Sequence, residues 1–229
     1  MLILSIDTSG PSCGVALMED GLLLYEATAN NKLTHSVNLM PMVEEALLKG
    51  GRKIEEVNLL ACVQGPGSFT GVRIGVAAVK GMAHALKIPC LGVNALEALA
   101  AGVSFEQGVI CPIRDARVHQ VYGAAFSNGE RLMDDEAAKI EDYLEKIQLL
   151  GSRFLFVGDG VAACRTQIEE TLKDRAFFAL PHLNDLKAGA TAWIASKHPE
   201  DAVDAGALAP LYLRAPQAER ERMEKAKRA

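Results

Sequence analysis

The stretch Gly65-Pro66-Gly67-Ser68-Phe69-Thr70-Gly71-Val72-Arg73-Ile74-Gly75 has the residue types to hold an anion. An apolar strand is expected to end at Val63, and a helix to open near Thr70. Free backbone N–H groups at such a helix start attract negative charge, and the Ser68 and Thr70 hydroxyls can assist or cap. The stretch departs from two common phosphate motifs. Val72 follows Gly71 where a P-loop has Lys, and Thr70 stands where G-x-G-x-x-G has its last glycine. A capped strand-to-helix turn and a nucleotide site using Gly65, Gly67, Ser68 and Thr70 therefore both stay open. Asp7 and Asp115 each close an apolar, strand-like run. They would hold a magnesium-bound phosphate if the two halves of the chain faced each other, or else cap strand ends.

Other catalytic chemistry lacks its parts. The histidines are His35, His84, His119, His182 and His198, and no two stand at i, i+4, so H-E-x-x-H and H-x-x-x-H metal pairs are absent from the sequence. Ser9 and Ser68 have no base that spacing identifies. His35-Ser36 reads as a capping pair at a helix start. The five cysteines show no C-x-x-C spacing and read as reduced, buried thiols of a cytosolic protein without structural zinc.

Composition narrows the class further. Of 229 residues, 49% are hydrophobic and 23% charged, which supports a packed core and excludes a disordered chain. The net charge of −5 argues against a protein whose main task is to grip a polyanion alone, while leaving room for a minor RNA contact within a larger assembly. No apolar run approaches the ~18 residues of a membrane span. Residues 1–6 lack a basic leader and end at Asp7, so they are not expected to be a signal peptide. The expected location is the cytoplasm.

These residues must be positioned by α/β elements. Strands are expected over 2–7, 13–18 and 22–29, with Asp20-Gly21 as a hairpin turn. A helix follows over 35–49, stopped by Gly50-Gly51, then a strand over 58–63, a helix over 71–87, a strand over 89–93 and a helix over 96–101 capped by Asn94. The second half repeats the order: strands 109–113, 118–126 and 131–133, helix 136–149, strand 154–157, helix 161–172, strand 176–180 and helix 186–197. Each half has an Asp after its first strand and a Gly-x-Gly after its fourth, Gly65-Pro66-Gly67 and Gly158-Asp159-Gly160. Such self-similarity suggests a duplication. The expected architecture is two RNase H-like lobes of the actin, sugar-kinase and heat-shock ATPase superfamily, the second reduced. The lobes are 1–103 and 104–214, followed by a charged tail at 215–229.

Two helices have more apolar perimeter than one sheet can cover. The polar residues Arg73, Lys80, His84 and Lys87 of helix 71–87 fall within an arc of about 60°. Helix 35–49 has one apolar face of Val37, Met40, Val43, Leu47 and Leu48 and another of Leu39, Met42 and Ala46. A hydrophobic interface with another subunit is expected through Leu39, Met42, Ala46, Gly71, Gly75, Ala78 and Met82. The small residues would allow close backbone approach and the methionines would adapt to the partner. The alternative is that both helices are internal to the chain.

With these residues in view, the chain resembles the bacterial TsaB (YeaZ) family, small paralogues of the TsaD/Kae1 proteins. The matching pieces are Ile6-Asp7-Thr8-Ser9, His35-Ser36, the Gly65–Gly75 stretch, Leu96-Glu97-Ala98-Leu99, Asp115-Ala116-Arg117 with Val121-Tyr122, and Pro210-Leu211-Tyr212-Leu213-Arg214. The resemblance implies a role in making threonylcarbamoyladenosine next to the anticodon of tRNAs that read codons beginning with A. It implies a non-catalytic scaffold without catalytic residues, cofactor or metal of its own. ATP and metal would belong to the partners: a TsaD-like catalytic subunit with an H-x-x-x-H pair, joined through the N-terminal lobe helices, and a TsaE-like ATPase. tRNA would be met within the complex, and the lone chain would pair with a second copy. The alternative from a different class is a small-molecule kinase or ATPase using Asp7, Gly65, Gly67, Ser68, Thr70 and Asp115 around magnesium-ATP. A metalloprotease is disfavoured by the missing histidine pair.

Overall fold

A computed structural model of the chain describes residues 1–117 and 120–214. Its ten strands form two five-stranded sheets of the same topology. The first sheet has the order β3-β2-β1-β4-β5, built from β1 (Leu2–Asp7), β2 (Cys13–Glu19), β3 (Leu22–Ala29), β4 (Leu59–Gly65) and β5 (Cys90–Asn94). The second runs β8-β7-β6-β9-β10, from β6 (Val109–Asp115), β7 (Gln120–Ser127), β8 (Glu130–Lys139), β9 (Phe154–Val157) and β10 (Ala176–Phe178). In each, the first three strands form an antiparallel meander, and the last two join the first in parallel. Parallel pairing needs a crossover, and α2 (Phe69–Leu86) and α5 (Gly160–Leu172) supply it at matching places. The expected duplicated α/β fold is therefore present; among the strands of the second copy only the last two parallel ones are reduced, β9 and β10 having 4 and 3 residues against 7 and 5 in β4 and β5.

Side-chain alternation sorts the core into three layers. On β1, Leu2, Leu4 and Ile6 face α1 (His35–Gly50) and α2, while Ile3 faces the other way. On β6, Val109, Cys111 and Ile113 face α4 (Ile140–Ile147) and α5, while Ile110 faces inward. Ile3 and Ile110 share a central layer with α3 (Ala95–Ala101) and α6 (Ala188–Lys197), which lie between the sheets.

Several expectations need correction. Residues 136–139, expected to open a helix, continue β8 because they pair with residues 120–123 of β7. α2 begins at Phe69, two residues early, because the Ser68 hydroxyl accepts from the Gly71 N–H and caps it there. The division at residue 103 does not hold to the end of the chain. α6 packs on the first sheet, where Ser5 Oγ donates to the Ala188 carbonyl (2.7 Å). Val203 pairs with Cys90, and Leu208 sits in the core beneath α2. The 215–229 tail and residues 118 and 119 of the expected 118–126 strand lie outside the described residues.

The proposed contact face also moves. Leu39, Met42 and Ala46 are 2, 9 and 0% exposed and pack on the chain's own first sheet. Gly71 and Gly75 are buried too: a Cβ on Gly71 would strike the Thr8 carbonyl, and one on Gly75 the Thr8 hydroxyl. Their smallness lets α2 close onto the β1 end, so it serves internal packing. Ala78 and Met82 are half-buried at the margin of the outer surface.

Candidate functional site

The loops after β1, β4, β6 and β9 all end at one edge of the two sheets and enclose a cleft of about 590 Å³. Ligands in open α/β folds bind beyond the carboxyl ends of the strands, and this cleft has that position. Its lining includes Ser9 and Gly10 after β1, Gly67, Ser68 and Thr70 after β4, Arg114 to Arg117 at the end of β6, and Asp159 after β9. Leu211 to Arg214 close one side. Of the residues singled out from sequence, Gly67, Ser68, Thr70 and Asp115 thus meet around one space. Gly65 lies beneath it at φ 125°, against the Leu211 carbonyl. Gly158, after β9, has φ 115° and packs its α-carbon against the Ile113 carbonyl in the same way. Both turns need a backbone conformation that a side chain would strain, and both lead into a crossover helix.

Asp7 and Asp115 do not form a pair. Asp7 is 1% exposed and lies below the cleft floor, its Oδ1 accepting from the Ser9 N–H (2.8 Å) and hydroxyl. Its Oδ2 has no hydrogen-bond partner among the described residues. Burial pushes the Asp7 carboxyl above the usual range, opposed by the charge of Arg114 and the Ser9 hydrogen bonds. Asp115 is exposed at the rim, where its Oδ1 accepts from the Arg117 N–H at 2.7 Å.

The residue at the centre is Arg114, which sequence reasoning missed. It occupies the inward alternation of β6 set by Ile110, at the end of the strand, and is 3% exposed. Its Nη1 donates to Ser9 Oγ (2.6 Å) and the Pro66 carbonyl (3.4 Å), and its Nη2 to Asp159 Oδ2 (3.3 Å). Asp159 Oδ1 in turn accepts from the Asp115 N–H at 3.1 Å. Burial works against the guanidinium charge, but Asp159 and Asp7 more than offset it and hold its pKa above the ordinary value. The available signal was one arginine in the otherwise apolar run Val109-Ile110-Cys111-Pro112-Ile113-Arg114, since a charge inside a central strand needs partners.

A magnesium nucleotide is what the kinase alternative expects in this cleft, and the arrangement around Arg114 does not fit one. Phosphate cradles present N–H donors. Here the groups converging on the centre are a hydroxyl, a carbonyl and a carboxylate, and each accepts from a cation already supplied by the chain. Ser9 Oγ accepts from Arg114 and donates to Asp7, so its hydrogen bonds are taken up within the chain. His35 lies behind the cleft wall, its Nε2 3.0 Å from the carbonyl of the lining residue Gly10. Among the described residues, no group of three His, Cys, Asp or Glu side chains could hold a metal ion.

A second feature lies on the outer side of α1 and α2. Val37, Met40 and Leu48 of α1 are 57, 45 and 77% exposed. Ala77, Gly81 and Ala85 of α2 are exposed beside half-buried Ile74, Ala78 and Met82. On α1, Asn38 bonds to Asn31 on the β3 side of the helix. On α2, Arg73 and Lys80 bond to Tyr212, Gly206 and Leu208 on the far side. Helical spacing then turns Met40 and Ile74, Ala78 and Met82 toward the groove between the helices, with Ala77 and Gly81 facing outward. Gly81 is in mid-helix, and a Cβ there would meet nothing within 4 Å.

The model of the TsaD family, tRNA N6-adenosine threonylcarbamoyltransferase, matches residues 25–222. The chain is 34% identical to the tRNA threonylcarbamoyladenosine biosynthesis protein TsaB of Bacillus subtilis (strain 168), over 96% of each chain. It is 35% identical to the TsaB protein of Escherichia coli (strain K12), over 70% of this chain and 72% of that one. Among solved structures, a Pseudomonas aeruginosa protein described as similar to peptidase YEAZ superposes with a TM-score of 0.79 at 27% identity, covering 93% of this chain and 99% of that one. An Arthrobacter polyphosphate/ATP-glucomannokinase, at 12% identity and a TM-score of 0.52, shares the fold alone.

Proposed function

The chain belongs to the TsaB family of tRNA threonylcarbamoyladenosine biosynthesis proteins, and from that premise we propose that it is a non-catalytic scaffold subunit. In this reading it joins a TsaD-like catalytic subunit through the outer face of α1 and α2. A TsaE-like ATPase binds the pair, and the assembly transfers a threonylcarbamoyl group to the adenosine beside the anticodon of tRNAs reading codons that begin with A. ATP and metal sit on the partner subunits. Without its partner the chain covers the same face with a second copy, in the cytoplasm.

The observation that carries this reading is the outer α1–α2 face. Apolar side chains stand exposed there around a helical glycine that no contact among the described residues requires. Glycine in a helix interior costs about 1 kcal/mol relative to alanine. Its use where a methyl group would fit freely is consistent with another backbone approaching closely from outside. The kinase or ATPase reading is less well supported, because the guanidinium of Arg114 and the oxygens of Ser9, Pro66 and Asp159 already satisfy one another, where a nucleotide would need such donors for its phosphates and such oxygens for its cation.

The test mixes the chain with a TsaD-family protein at micromolar concentration and follows size exclusion with light scattering. Threonylcarbamoyladenosine formation on tRNA is measured in the reconstituted system with and without this chain. A joint peak and modification that depends on the chain are expected. Two separate peaks, with modification proceeding equally well without it, would refute the scaffold role.

A further inference from the structure

We propose that Arg114 is a resident counter-cation that clasps the two lobes across the cleft, fixing from within the chain the spacing that a bound ligand sets in an open cleft. Arg114 and Asp159 come from the second sheet, and Ser9 and Pro66 from the first, so the guanidinium ties loops on both sides of the divide. The first-lobe loops are shaped around it. A Cβ on Gly10 would collide with Arg114 Nη2, and one on Gly67 would strike the Ser9 carbonyl and come within 3.2 Å of Arg114 Nη1. The acceptor on the second lobe is itself braced, since Asp159 also takes the Asp115 N–H. Asp7, buried below, adds a carboxylate whose charge acts on Arg114 and whose Oδ2 has no partner among the described residues.

The clasp has a mechanical consequence. Pro66 and Gly67 lead directly into Ser68, the cap of α2. The second lobe therefore holds the N-terminal end of α2 through Arg114, and a shift of one lobe is passed to that helix. This inference does not depend on which protein, if any, docks on α2.

Hydrogen exchange on the full chain tests it. In Arg114→Met, which keeps most of the apolar stem and removes the charge, amides of residues 65–72 other than Pro66 should exchange at least tenfold faster than in the wild type. Those of β7, β8 and α4, remote from the clasp, should stay unchanged. Arg114→Lys, able to reach fewer acceptors, should fall between the two. If Arg114→Met fails to fold, the double variant Asp7→Asn/Arg114→Met, which removes the buried charge left behind, is measured instead. Unchanged exchange over 65–72 in whichever variant folds would overturn the proposal. So would micromolar binding of magnesium-ATP to the wild type that Arg114→Met abolishes, since Arg114 would then be an anion ligand.

Discussion

Replacing Gly81 with alanine should move stability and association in opposite directions. The glycine is in the interior of an 18-residue helix, and a Cβ there meets nothing within 4 Å. Within the chain, Gly81→Ala therefore gains helix propensity of about 1 kcal/mol with no steric cost. For a chain of this size that corresponds to a melting temperature higher by roughly 2–4 °C. If a partner helix packs closely on this face, the same methyl group overfills the contact, a cost of roughly 1–3 kcal/mol. That is a loss of about 5-fold to 150-fold in affinity for a TsaD-family subunit. Differential scanning calorimetry gives the first quantity and titration calorimetry the second. A destabilised protein that binds less well is commonplace, whereas a stabilised protein that binds less well points to the surface itself. Gly81→Ala that is stabilised and binds with unchanged affinity would refute the close approach inferred here.

Three further outcomes follow from the same packing and electrostatics. Ala77→Glu, at an exposed position on the same face, should change stability by no more than about 0.5 kcal/mol yet weaken association at least tenfold, whereas Leu39→Ala, at a core position 2% exposed, should lose about 2–5 kcal/mol of stability in urea unfolding. Because burial raises the Asp7 pKa above 3.8, the folded chain holds that proton more tightly than the unfolded one. The associated stability is full below about pH 3.8 and is lost as pH rises through the raised value. The stability of the wild type minus that of Asp7→Asn, measured by urea unfolding from pH 4 to 8, should therefore fall with rising pH and then level; a difference that grows would show that Arg114 outweighs burial. All five cysteines are buried, and burial pushes Cys13 to about 11 and Cys111 to about 12, so a thiol reagent at pH 8 should label the native chain slowly and all five sites after denaturation, and one fast native thiol would contradict this.

Local patterns made much of this architecture readable. Apolar runs broken by Asp20-Gly21 and Asn128-Gly129 mark the hairpins, and the repeated order of strands and helices shows two copies of one fold, because period and turn chemistry are properties of neighbouring residues. The same patterns brought Gly67, Ser68, Thr70 and Asp115 to notice, and they do line one cleft. Nothing local distinguishes the two apolar faces of helix 35–50. The residues that turn inward, Leu39, Met42 and Ala46, are as apolar as Val37, Met40 and Leu48, which turn outward, and only docking on β2 and β3 selects between them. The centre of the cleft is non-local in the same sense. Arg114 finds Ser9 across 105 residues and Pro66 across 48, and Ala188 reaches back to Ser5 across 183. Sequence determined which segments become strands and helices, since propensity and periodicity act over a few residues. The pairing of a buried arginine with its acceptors, and the choice of which helix face meets solvent, were decided by tertiary structure, because both depend on residues distant in the chain that meet only on folding, the first across the two lobes and the second where α1 docks on its own sheet.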